Sequence, residues 1–545
     1  MSQRLSLTWL ARRLPLPLPP VLLLVLALAY ALPGLLPHDP WKTDDAIGAE
    51  IVHQMLDHGQ WLVPNLAGET FAEDGPLYYW VGAAFAGLTA GYLELHSAAR
   101  LASAVFALLA FVFVRQTGRE LHGRAEGDGA VLALLGSLGL VLHAHENIAE
   151  IGMLAAMALA LYAIALARRL PLAAGFLLGL GLAAALLCKG LGAALVPLLT
   201  ALLAPIVCGE WRTRGYAVTL VLGTAIGALL SDAWIAVAHA YAPAGLAAWL
   251  SYQLVAPYAP TLAGIADYLG ALSWSAWPAW PIALWVLWTS RRRLSEAGIA
   301  MPLAALVAAC AFLATTPDYR EVNALPLLLP LALLAGVGVP LLRRGAANAL
   351  AWFGAMTFSF FGFLVWLGWF AMMTGVPGQI ARNFAKLEPG HVPRFEWHDF
   401  AFAAVFTLAW LFLLLRSGRS AFRSVTYWAA GVALLWGLIM TLWIDWIDYG
   451  KTYRPVAQAM KRALPASAGC IQSQNLGEAQ RAAFDYHAGI VTQRAETGAG
   501  GRCRLLLVQA RPGDDDRALS LHWRRIWEGN RPRDKERYRL YVRRS

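Results

Sequence analysis

The segment PPVLLLVLALAYALPGLL (19–36) is almost entirely apolar, and PHDPWKTDDAIGAEI (37–51) follows it with a sudden run of ionisable side chains. An apolar run of this length is typical of a membrane-spanning helix. Comparable runs recur through the 545-residue chain, which is 58% hydrophobic and only 14% charged. One globular core does not use so many apolar residues, so the sequence predicts a mainly α-helical, polytopic membrane protein. No cleavage motif follows the first run, which indicates a retained helix rather than a signal peptide.

Arginine clusters mark the loops between the apolar runs and orient the chain. Cytoplasmic loops are enriched in Lys and Arg, so these loops and the Arg-rich N-terminal residues are assigned to the cytoplasm. The clusters lie at 115–124, 167–170, 210–214, 290–294, 341–345 and 416–423. This pattern predicts a multi-pass membrane protein with its C terminus on the outer side of the membrane. About thirteen spans are expected, at 19–36, 99–114, 130–143, 151–167, 171–187, 190–208, 216–241, 270–288, 299–315, 323–342, 349–373, 400–415 and 425–444.

Residues 1–446 are predicted to form the membrane domain, with a large first external loop at 37–97. That loop contains one apolar stretch of borderline length, LYYWVGAAFAGLTAGYL (77–93). Counting it as a span would place every later Arg cluster on the wrong side of the membrane. The stretch is therefore interpreted as an interfacial or re-entrant helix.

Residues 447–545 contain no apolar run long enough to span, and they predict a small α/β domain outside the membrane. YRPVAQAMKRAL and GEAQRAAFDYHAG have the pattern of amphipathic helices, whereas CIQSQ, RCRLLLVQA and RYRLYVRR have that of short strands. Cys470 and Cys503 lie at or beside two of these strands, in a compartment that permits disulfides. A Cys470–Cys503 disulfide is therefore predicted, with two free structural thiols as the alternative.

Ionisable side chains gather at the non-cytoplasmic ends of several predicted spans. A charge gains nothing from lying alone at the lipid boundary, so this distribution suggests one shared cavity at the outer membrane face. The alternative is that loops are simply polar. The side chains concerned are Asp44, Asp45, Glu50, Glu73, Asp74, Glu146, Glu150, Lys189, Asp318, Arg320 and Glu321.

The first external loop, TDDAIGAEIVHQMLDHGQWLVPNLAGETFAEDGPLYYW (43–80), resembles that of the C-type membrane glycosyltransferases. The relevant superfamily contains the lipid A aminoarabinose transferases and the protein O-mannosyltransferases. CKGLGAALVPLL (188–199) and NALPLLLPLALLAG (323–336) resemble later segments of the same superfamily. One departure is EDGP (73–76), because the family usually has Lys before a Pro pair at this place. The positions that carry the resemblance are Asp44, Asp45, Ala49, Glu50, Met55, Leu56, Gly59, Trp61, Pro64, Glu73, Pro76, Tyr79 and Trp80.

The resemblance implies transfer of a sugar from a polyprenyl phosphate to an envelope acceptor, such as lipid A or another glycolipid, with inversion. It also implies a bacterial-type inner membrane, with the active site and the C terminus facing the periplasm. It gives Asp44 the catalytic position. Asp44 would deprotonate a hydroxyl acceptor, or act electrostatically on a phosphate acceptor that is already ionised. Neighbouring side chains on a helix point about 100° apart, so Asp45 is expected to orient the loop, cap it or meet a divalent cation. Glu73 and Glu150 are the other supporting acids, and Glu146 competes with Glu150.

The resemblance also implies cations for the lipid phosphate and a cavity for the substrates. No metal-ligand set is predicted, although a divalent cation is left open, and polyprenyl phosphate is the expected donor lipid. The net charge of +10 is concentrated in loops and in the last hundred residues, so it indicates a membrane protein rather than a nucleic-acid partner. The phosphate-binding candidates are Lys189, Arg320, Lys42 and Arg382, and the cavity candidates are Tyr79, Asp74 and Tyr319.

Two other functions are compatible with many spans and an acidic cavity. One is a flippase or transporter of lipid-linked sugars, and the other is a protein that only binds the carrier lipid. Transporters usually contain internal repeats and functional charges near the bilayer midplane, whereas this sequence has no evident repeat and its charges lie mostly at one face. An Asp44→Asn variant would separate the three, because only an enzyme would lose turnover.

Overall fold

The structure is a computed structural model that describes residues 17–41, 43–254, 262–314, 320–465, 469–497, 503–511, 513–514, 522–532 and 534–544. Its α-helices are α1 (Pro20–Ala31), α2 (Asp44–His58), α3 (Leu77–Leu88), α4 (Leu95–Leu121), α5 (Arg124–Leu135), α6 (Leu138–His143), α7 (Ala149–Leu166), α8 (Pro171–Val207), α9 (Arg214–Tyr241), α10 (Pro243–Gln253), α11 (Leu262–Ser275), α12 (Ala279–Thr289), α13 (Ala297–Ala314), α14 (Leu325–Leu341), α15 (Arg344–Thr374), α16 (Gly378–Leu387), α17 (Trp397–Arg416), α18 (Arg423–Leu442), α19 (Ile444–Lys451), α20 (Arg454–Ala463) and α21 (Glu478–Ala488). Its strands are β1 (Asn65–Leu66), β2 (Glu69–Thr70), β3 (Ile471–Gln474), β4 (Thr492–Arg494), β5 (Leu505–Ala510), β6 (Trp523–Gly529) and β7 (Arg537–Arg543).

Nine helices among the described residues are long and apolar enough to cross a membrane: α4, α7, α8, α9, α13, α14 with the turn before it, α15, α17 and α18. The chain is therefore a multi-pass membrane protein. The predicted total of thirteen is not confirmed, because three predicted spans correspond to shorter helices. α1 has 12 residues, the segment 130–143 is divided between α5 and α6, and 270–288 is divided between α11 and α12. A bilayer core requires about 20 helical residues. The stretch 77–93 contains only the 12-residue α3.

α8 consists of two antiparallel arms rather than one straight helix. Thr219 at the start of α9 donates its hydroxyl to the carbonyl of Pro171 at 2.8 Å. Tyr216, one turn earlier, donates to the carbonyl of Ala201 at 2.6 Å. In a straight helix Pro171 and Ala201 would lie about 45 Å apart. The chain must therefore reverse between these two residues, and the predicted spans 171–187 and 190–208 correspond to the two arms.

The reversal in α8 falls at two residues with non-helical backbone angles. Lys189 has φ/ψ of -137°/22°, and Gly190 has 78°/-166°. A positive φ favours glycine, and a Cβ at position 190 would also lie 2.1 Å from the side-chain oxygen of Gln253. Lys189 is consequently placed at the tip of a helical hairpin, where its side chain can reach groups outside the bundle.

The C-terminal residues form a mixed five-stranded sheet in the order β4-β3-β5-β7-β6. β3 is parallel to β4 and β5, whereas β7 is antiparallel to β5 and β6. The predicted helices and strands correspond to α20, α21, β3, β5 and β7. The sequence interpretation missed β4, which has three residues, and the mostly polar β6. Cys470 and Cys503 form a disulfide beside β3 and β5.

The C-terminal sheet domain is docked on the first external loop through α21 and α2. Arg481 of α21 is 1% exposed and pairs with Glu69 at 3.1 Å. Gln54 of α2 donates to Glu50 at 2.6 Å and to Asp485 at 3.0 Å. Burial and the nearby Asp485 raise the pKa of Glu50 to about 10, so this carboxyl is neutral at pH 7. These buried contacts join α21 to the C-terminal half of α2 and to β2.

Candidate active site

Asp44 and Asp45 occupy the first turn of α2, and their side chains have separate partners. Asp44 is 18% exposed and pairs with Arg320, which precedes the short turn Glu321–Ala324. Asp45 is 1% exposed and pairs with Arg100 of α4. The more exposed carboxylate therefore faces the cavity described below, and the other lies inside the protein.

Asp45 holds the start of α2 in place through a buried network. Arg100 donates to both of its carboxylate oxygens, at 3.1 and 2.6 Å, and to the carbonyls of His38 and Asp39 at 2.8 and 3.0 Å. The backbone and side-chain amides of Asn147 each donate to Asp45 at 2.9 Å. Burial opposes ionisation of Asp45, but Arg100 and Asn147 outweigh it and lower its pKa to about 2. Asp45 is thus an ionised, saturated acceptor without a position for a metal or substrate.

Lys189 brings three carboxylates together at the tip of the α8 hairpin. It pairs with Asp74, with Glu150 at 2.8 Å and with Glu73 at 3.9 Å. Tyr79 donates its hydroxyl to the second oxygen of Asp74 at 2.5 Å. The first external loop, α7 and α8 therefore meet at one ammonium group.

Arg320 extends this cluster toward Asp44, because it also donates to Glu73 at 3.0 Å. Glu73 thus connects the two cations, and the ion pairs form a continuous ladder from Asp44 to Glu150. We call these six side chains, Asp44, Glu73, Asp74, Glu150, Lys189 and Arg320, the ion-pair ladder.

The ion-pair ladder contains four carboxylates and two cations. With all groups ionised its formal charge is negative, so one carboxyl binds a proton more readily than usual. Burial is the main reason that the pKa of Asp74 is raised to about 6, with Glu150 adding to the effect and Lys189 opposing it. Asp74 therefore changes its protonation near neutral pH.

The departure EDGP is tied to the α8 hairpin by the backbone. Gly75 donates its N–H to the carbonyl of Cys188 at 3.0 Å, a bond that proline cannot make. A Cβ at position 75 would lie 2.2 Å from the carbonyl oxygen of Leu187. Gln253 adds a second connection, since it accepts from Leu191 and donates to Ala72, both at 3.1 Å. Asp74 and Gly75 therefore contact the α8 hairpin together, Asp74 through its side chain and Gly75 through its backbone.

A cavity of about 650 Å³ lies above Asp44 and Arg320. One side is formed by the start of α2, His143 and the segment around Arg320. The other side belongs to the C-terminal sheet domain and contains Asn475, Gly477, Glu478, Gln480 and Gln509. We call this space the ladder cavity.

A separate apolar groove of about 420 Å³ runs between α3, α8 and α9. Its lining includes Leu77, Trp80, Leu187 and Trp234. Leu187 precedes the hairpin tip by two residues, so the groove approaches the ion-pair ladder from the membrane side.

The remaining candidates have different positions. Arg382 is exposed on the amphipathic α16, whose Phe384 packs on Trp443 and Trp446 with ring centroids 5.2 and 4.9 Å away, and it is not brought to the ladder. Tyr79 is buried behind Asp74 and does not line the ladder cavity. Glu146 pairs with His143 at 2.9 Å instead of Lys189. Lys42 and Tyr319 lie outside the described residues.

Sequence reasoning missed Arg100, Asn147 and the whole contribution of the C-terminal sheet domain. Arg100 carries a recognisable signal, because an arginine just inside an apolar span requires a buried partner. Asn475 and Gln509 carry no such signal, since their position over α2 depends on how two distant parts of the chain pack.

One group of side chains outside the ladder has the composition of a metal site. Ligand atoms of Asp39, Glu94 and His96 all lie within 4.8 Å of one another. However, Arg454 pairs with Asp39 and, at 2.7 Å, with Glu94. A metal ion would have to displace this guanidinium, so the residues fit an ion-pair network better than a metal centre.

The fold, with its helical membrane part, large first external loop and small C-terminal sheet, resembles that of the C-type membrane glycosyltransferases. The undecaprenyl phosphate-alpha-4-amino-4-deoxy-L-arabinose arabinosyl transferase 1 of Pseudomonas fluorescens is 26% identical to this chain over 428 residues, covering 75% of this chain and 72% of that protein. The predicted resemblance to this class is confirmed. No family model matches the chain.

Solved structures show the same architecture. The crystal structure of ArnT from Cupriavidus metallidurans bound to undecaprenyl phosphate has a TM-score of 0.67 to this chain at 17% identity, covering 98% of both chains. The apo structure of the same protein has a TM-score of 0.66 at 18% identity, covering 96% of this chain and 97% of that one. The similarity extends over both the membrane part and the C-terminal sheet domain.

Proposed function

We propose that the protein is an inverting membrane glycosyltransferase that moves a sugar from polyprenyl phosphate to an envelope acceptor, such as lipid A or another glycolipid. The observation that carries the proposal is the ion-pair ladder, which joins a partly exposed carboxylate, Asp44, to two cations beneath a cavity. The resemblance to the aminoarabinose transferases supports undecaprenyl phosphate as the donor lipid. In this proposal the site faces the periplasm.

Asp44 is the proposed catalytic carboxylate. Transfer breaks the bond between C1 of the sugar and the phosphate oxygen while an acceptor oxygen attacks C1 from the opposite face. Asp44 takes the proton of a hydroxyl acceptor, or stabilises the positive charge that grows on the sugar ring when the acceptor is an ionised phosphate. Glu73 and Glu150 hold the two cations and do not touch the reacting atoms.

Lys189 and Arg320 are the proposed partners of the leaving phosphate. Charge accumulates on the phosphate as the bond breaks, and preorganised cations lower that barrier. The apolar groove beside Leu187 supports this assignment, because it offers the polyprenyl chain a path from the membrane to the hairpin tip. The phosphate would then replace carboxylates as the counter-ion of both cations.

Replacing Lys189 by Met is expected to lower the rate of sugar transfer by about 10²- to 10³-fold, the usual cost of losing one preorganised charge contact. Lys189→Arg should retain most of the activity. Initial rates of transfer in proteoliposomes would measure both. Because Met leaves carboxylates without their cation, the double variant Lys189→Met/Asp74→Asn serves as a folding control. An active double variant would contradict a role for Lys189 in binding the phosphate.

Binding of a sugar-linked carrier is expected to be strongest below pH 6 and to weaken as the pH rises through 6. The pKa of Asp74 is raised to about 6, chiefly by burial. Below that pH Asp74 is neutral and Lys189 is available to the phosphate, whereas above it the ionised carboxylate competes. Well above pH 6, the affinity for the carrier is expected to fall by at most about tenfold per pH unit. The probe must be a phosphodiester, since a phosphate monoester itself titrates near pH 6.

Asp74→Asn should remove this pH dependence and bind the diester at pH 8 as strongly as the wild type does at pH 5. Isothermal titration in detergent at both pH values would measure the difference. An unchanged pH profile in the variant would exclude Asp74 as the competing group.

The proposed function is tested by reconstituting the full chain in liposomes with undecaprenyl phosphate-linked 4-amino-4-deoxy-L-arabinose and lipid A. Mass spectrometry of lipid A should then show a mass increase of one sugar residue. In parallel, the envelope glycolipids of cells with and without the gene should differ by one sugar on one lipid. A glycolipid profile that is identical in both strains, together with no transfer in liposomes, would refute the proposal.

A further inference from the structure

The wall of the ladder cavity that belongs to the C-terminal sheet domain contains three carboxamide side chains and one carboxylate, that of Glu478. Asn475, Gln480 and Gln509 line it opposite Asp44 and Arg320. Asn475 and Gln509 also border a second cavity of about 370 Å³ over the same edge of the sheet. The charged groups of the ion-pair ladder thus lie on one side of the space, and the other side offers mainly neutral hydrogen-bonding groups.

The carboxamides lie where α/β sheets usually bind ligands. β3 and β5 are adjacent and parallel. The chain leaves β3 through α21 toward β4 on one side of the pair, whereas β5 continues to the strands on the other side. Ligands of open sheets bind at such a switch point, outside the carboxyl ends of the strands. Asn475 directly follows β3, and Gln509 is at the end of β5.

Two of the three carboxamides have unused hydrogen-bonding groups. Gln480 donates to Glu536 at 3.1 Å and is 2% exposed, so its role is structural. The side-chain oxygen of Gln509 accepts from Gly477 at 3.3 Å, and its NH₂ group has no hydrogen bond within the described part of the chain. The side-chain amide of Asn475 likewise makes no hydrogen bond within the described part of the chain, although the backbone N–H of Asn475 donates to Glu496 at 2.9 Å.

We propose that Asn475 and Gln509 form a sugar-ring subsite, in which the C-terminal sheet domain recognises the ring whose phosphate or acceptor oxygen lies at the ion-pair ladder. A carboxamide offers a donor and an acceptor side by side, which matches the adjacent hydroxyls of a sugar. Glu321 and Glu478 also line the cavity, so the ring is neutral or carries an amine rather than an acid. This inference rests on the proposed function, because the ladder supplies the reacting end of the ligand.

The donor sugar and the sugar of the acceptor present the same chemistry, and binding measurements distinguish them. The probes are bare undecaprenyl phosphate, undecaprenyl phosphate-linked 4-amino-4-deoxy-L-arabinose and lipid A. The variant is Asn475→Gly/Gln509→Ala in the full chain. Glycine is chosen at position 475 because Asn475 has a φ of 57°, which a larger residue without an amide would adopt only with strain. Gln472→Ala, on β3 and outside both cavities, is the matched control.

We expect the double variant to bind one of the two sugar-bearing lipids roughly tenfold more weakly, as the loss of two neutral hydrogen bonds implies. Binding of bare undecaprenyl phosphate should be unchanged, and Gln472→Ala should match the wild type throughout. Weaker binding of the sugar-linked carrier identifies the donor sugar, and weaker binding of lipid A identifies the acceptor. Thermal denaturation verifies that the double variant is folded.

The inference is overturned if the folded double variant binds both sugar-bearing lipids as the wild type does. It is also overturned if the wild type binds the bare carrier but neither sugar-bearing lipid. A wild type that does not bind even bare undecaprenyl phosphate would instead refute the proposed function. The two failures are therefore distinguishable.

Discussion

Asp44→Asn is expected to reduce sugar transfer by about 10²- to 10⁴-fold while leaving the protein folded and able to bind undecaprenyl phosphate. This range is the rate enhancement that a positioned general base typically contributes, with the higher figure applying to the most efficient bases. Asn has the same shape as Asp but cannot accept the proton or balance charge on the ring. Binding of the carrier should be equal or tighter, because Arg320 loses a competing carboxylate.

The control for this variant is Asp57→Asn, which removes an exposed carboxylate from the same helix. It should transfer sugar at the wild-type rate. Single-turnover transfer and carrier binding, measured on the same preparations, separate chemistry from affinity. Full transfer by Asp44→Asn would mean that another group is the catalytic carboxylate. Loss of binding together with transfer would favour a structural role for Asp44.

Arg100→Met is expected to lower the free energy of unfolding by about 3–5 kcal/mol, because it leaves a buried carboxylate without its cation. Arg100 is 0% exposed, and Asp45 is 1% exposed. Asp45 ionises with a pKa of about 2 instead of the usual 3.8. The Arg100–Asp45 pair therefore contributes its full stabilisation above about pH 4, and this stabilisation is lost as the pH falls toward 2. Chemical denaturation at pH 7 would measure the change.

The double variant Arg100→Met/Asp45→Asn separates the charge from the packing. It removes both charges, so much of the lost stability should return. If the single variant were as stable as the wild type, Arg100 would not be the anchor of the segment before α2. Recovery in the double variant without recovery of transfer would indicate that the pair also positions Asp44.

The sequence predicts the membrane class well because apolar runs and Arg clusters are local signals. The two spans on either side of CKG (188–190) are visible as runs, and the runs alone place Lys189 between two helices. Span length is less predictable, since 130–143 is equally apolar but is interrupted near Gly136. The positive charge of Arg382 suggests a phosphate ligand, whereas the periodicity of GQIARNFAKL (378–387) indicates a helix lying in the membrane interface.

The candidate site also has one part that the sequence predicts and one part that it does not. Residues grouped by the resemblance, such as Asp44, Glu73 and Lys189, come from segments with recognisable motifs, and their assignment to catalysis stays a prediction. The ladder cavity is closed by the C-terminal sheet domain, and no local pattern indicates which edge of that sheet meets α2. Long-range packing decides this, and a single sequence does not record it.

The contact between EDGP and the α8 hairpin has a consequence for how such a loop evolves. The resemblance described above implies Lys and Pro where this chain has Asp74 and Gly75. Lys at position 74 would bring a second positive charge to Lys189, and Pro at position 75 would lose the bond to Cys188 and contact Leu187. Neither replacement alone restores the other loop form, so the two positions are epistatic. We therefore expect the effects of substitutions at positions 74 and 75 on stability to be non-additive.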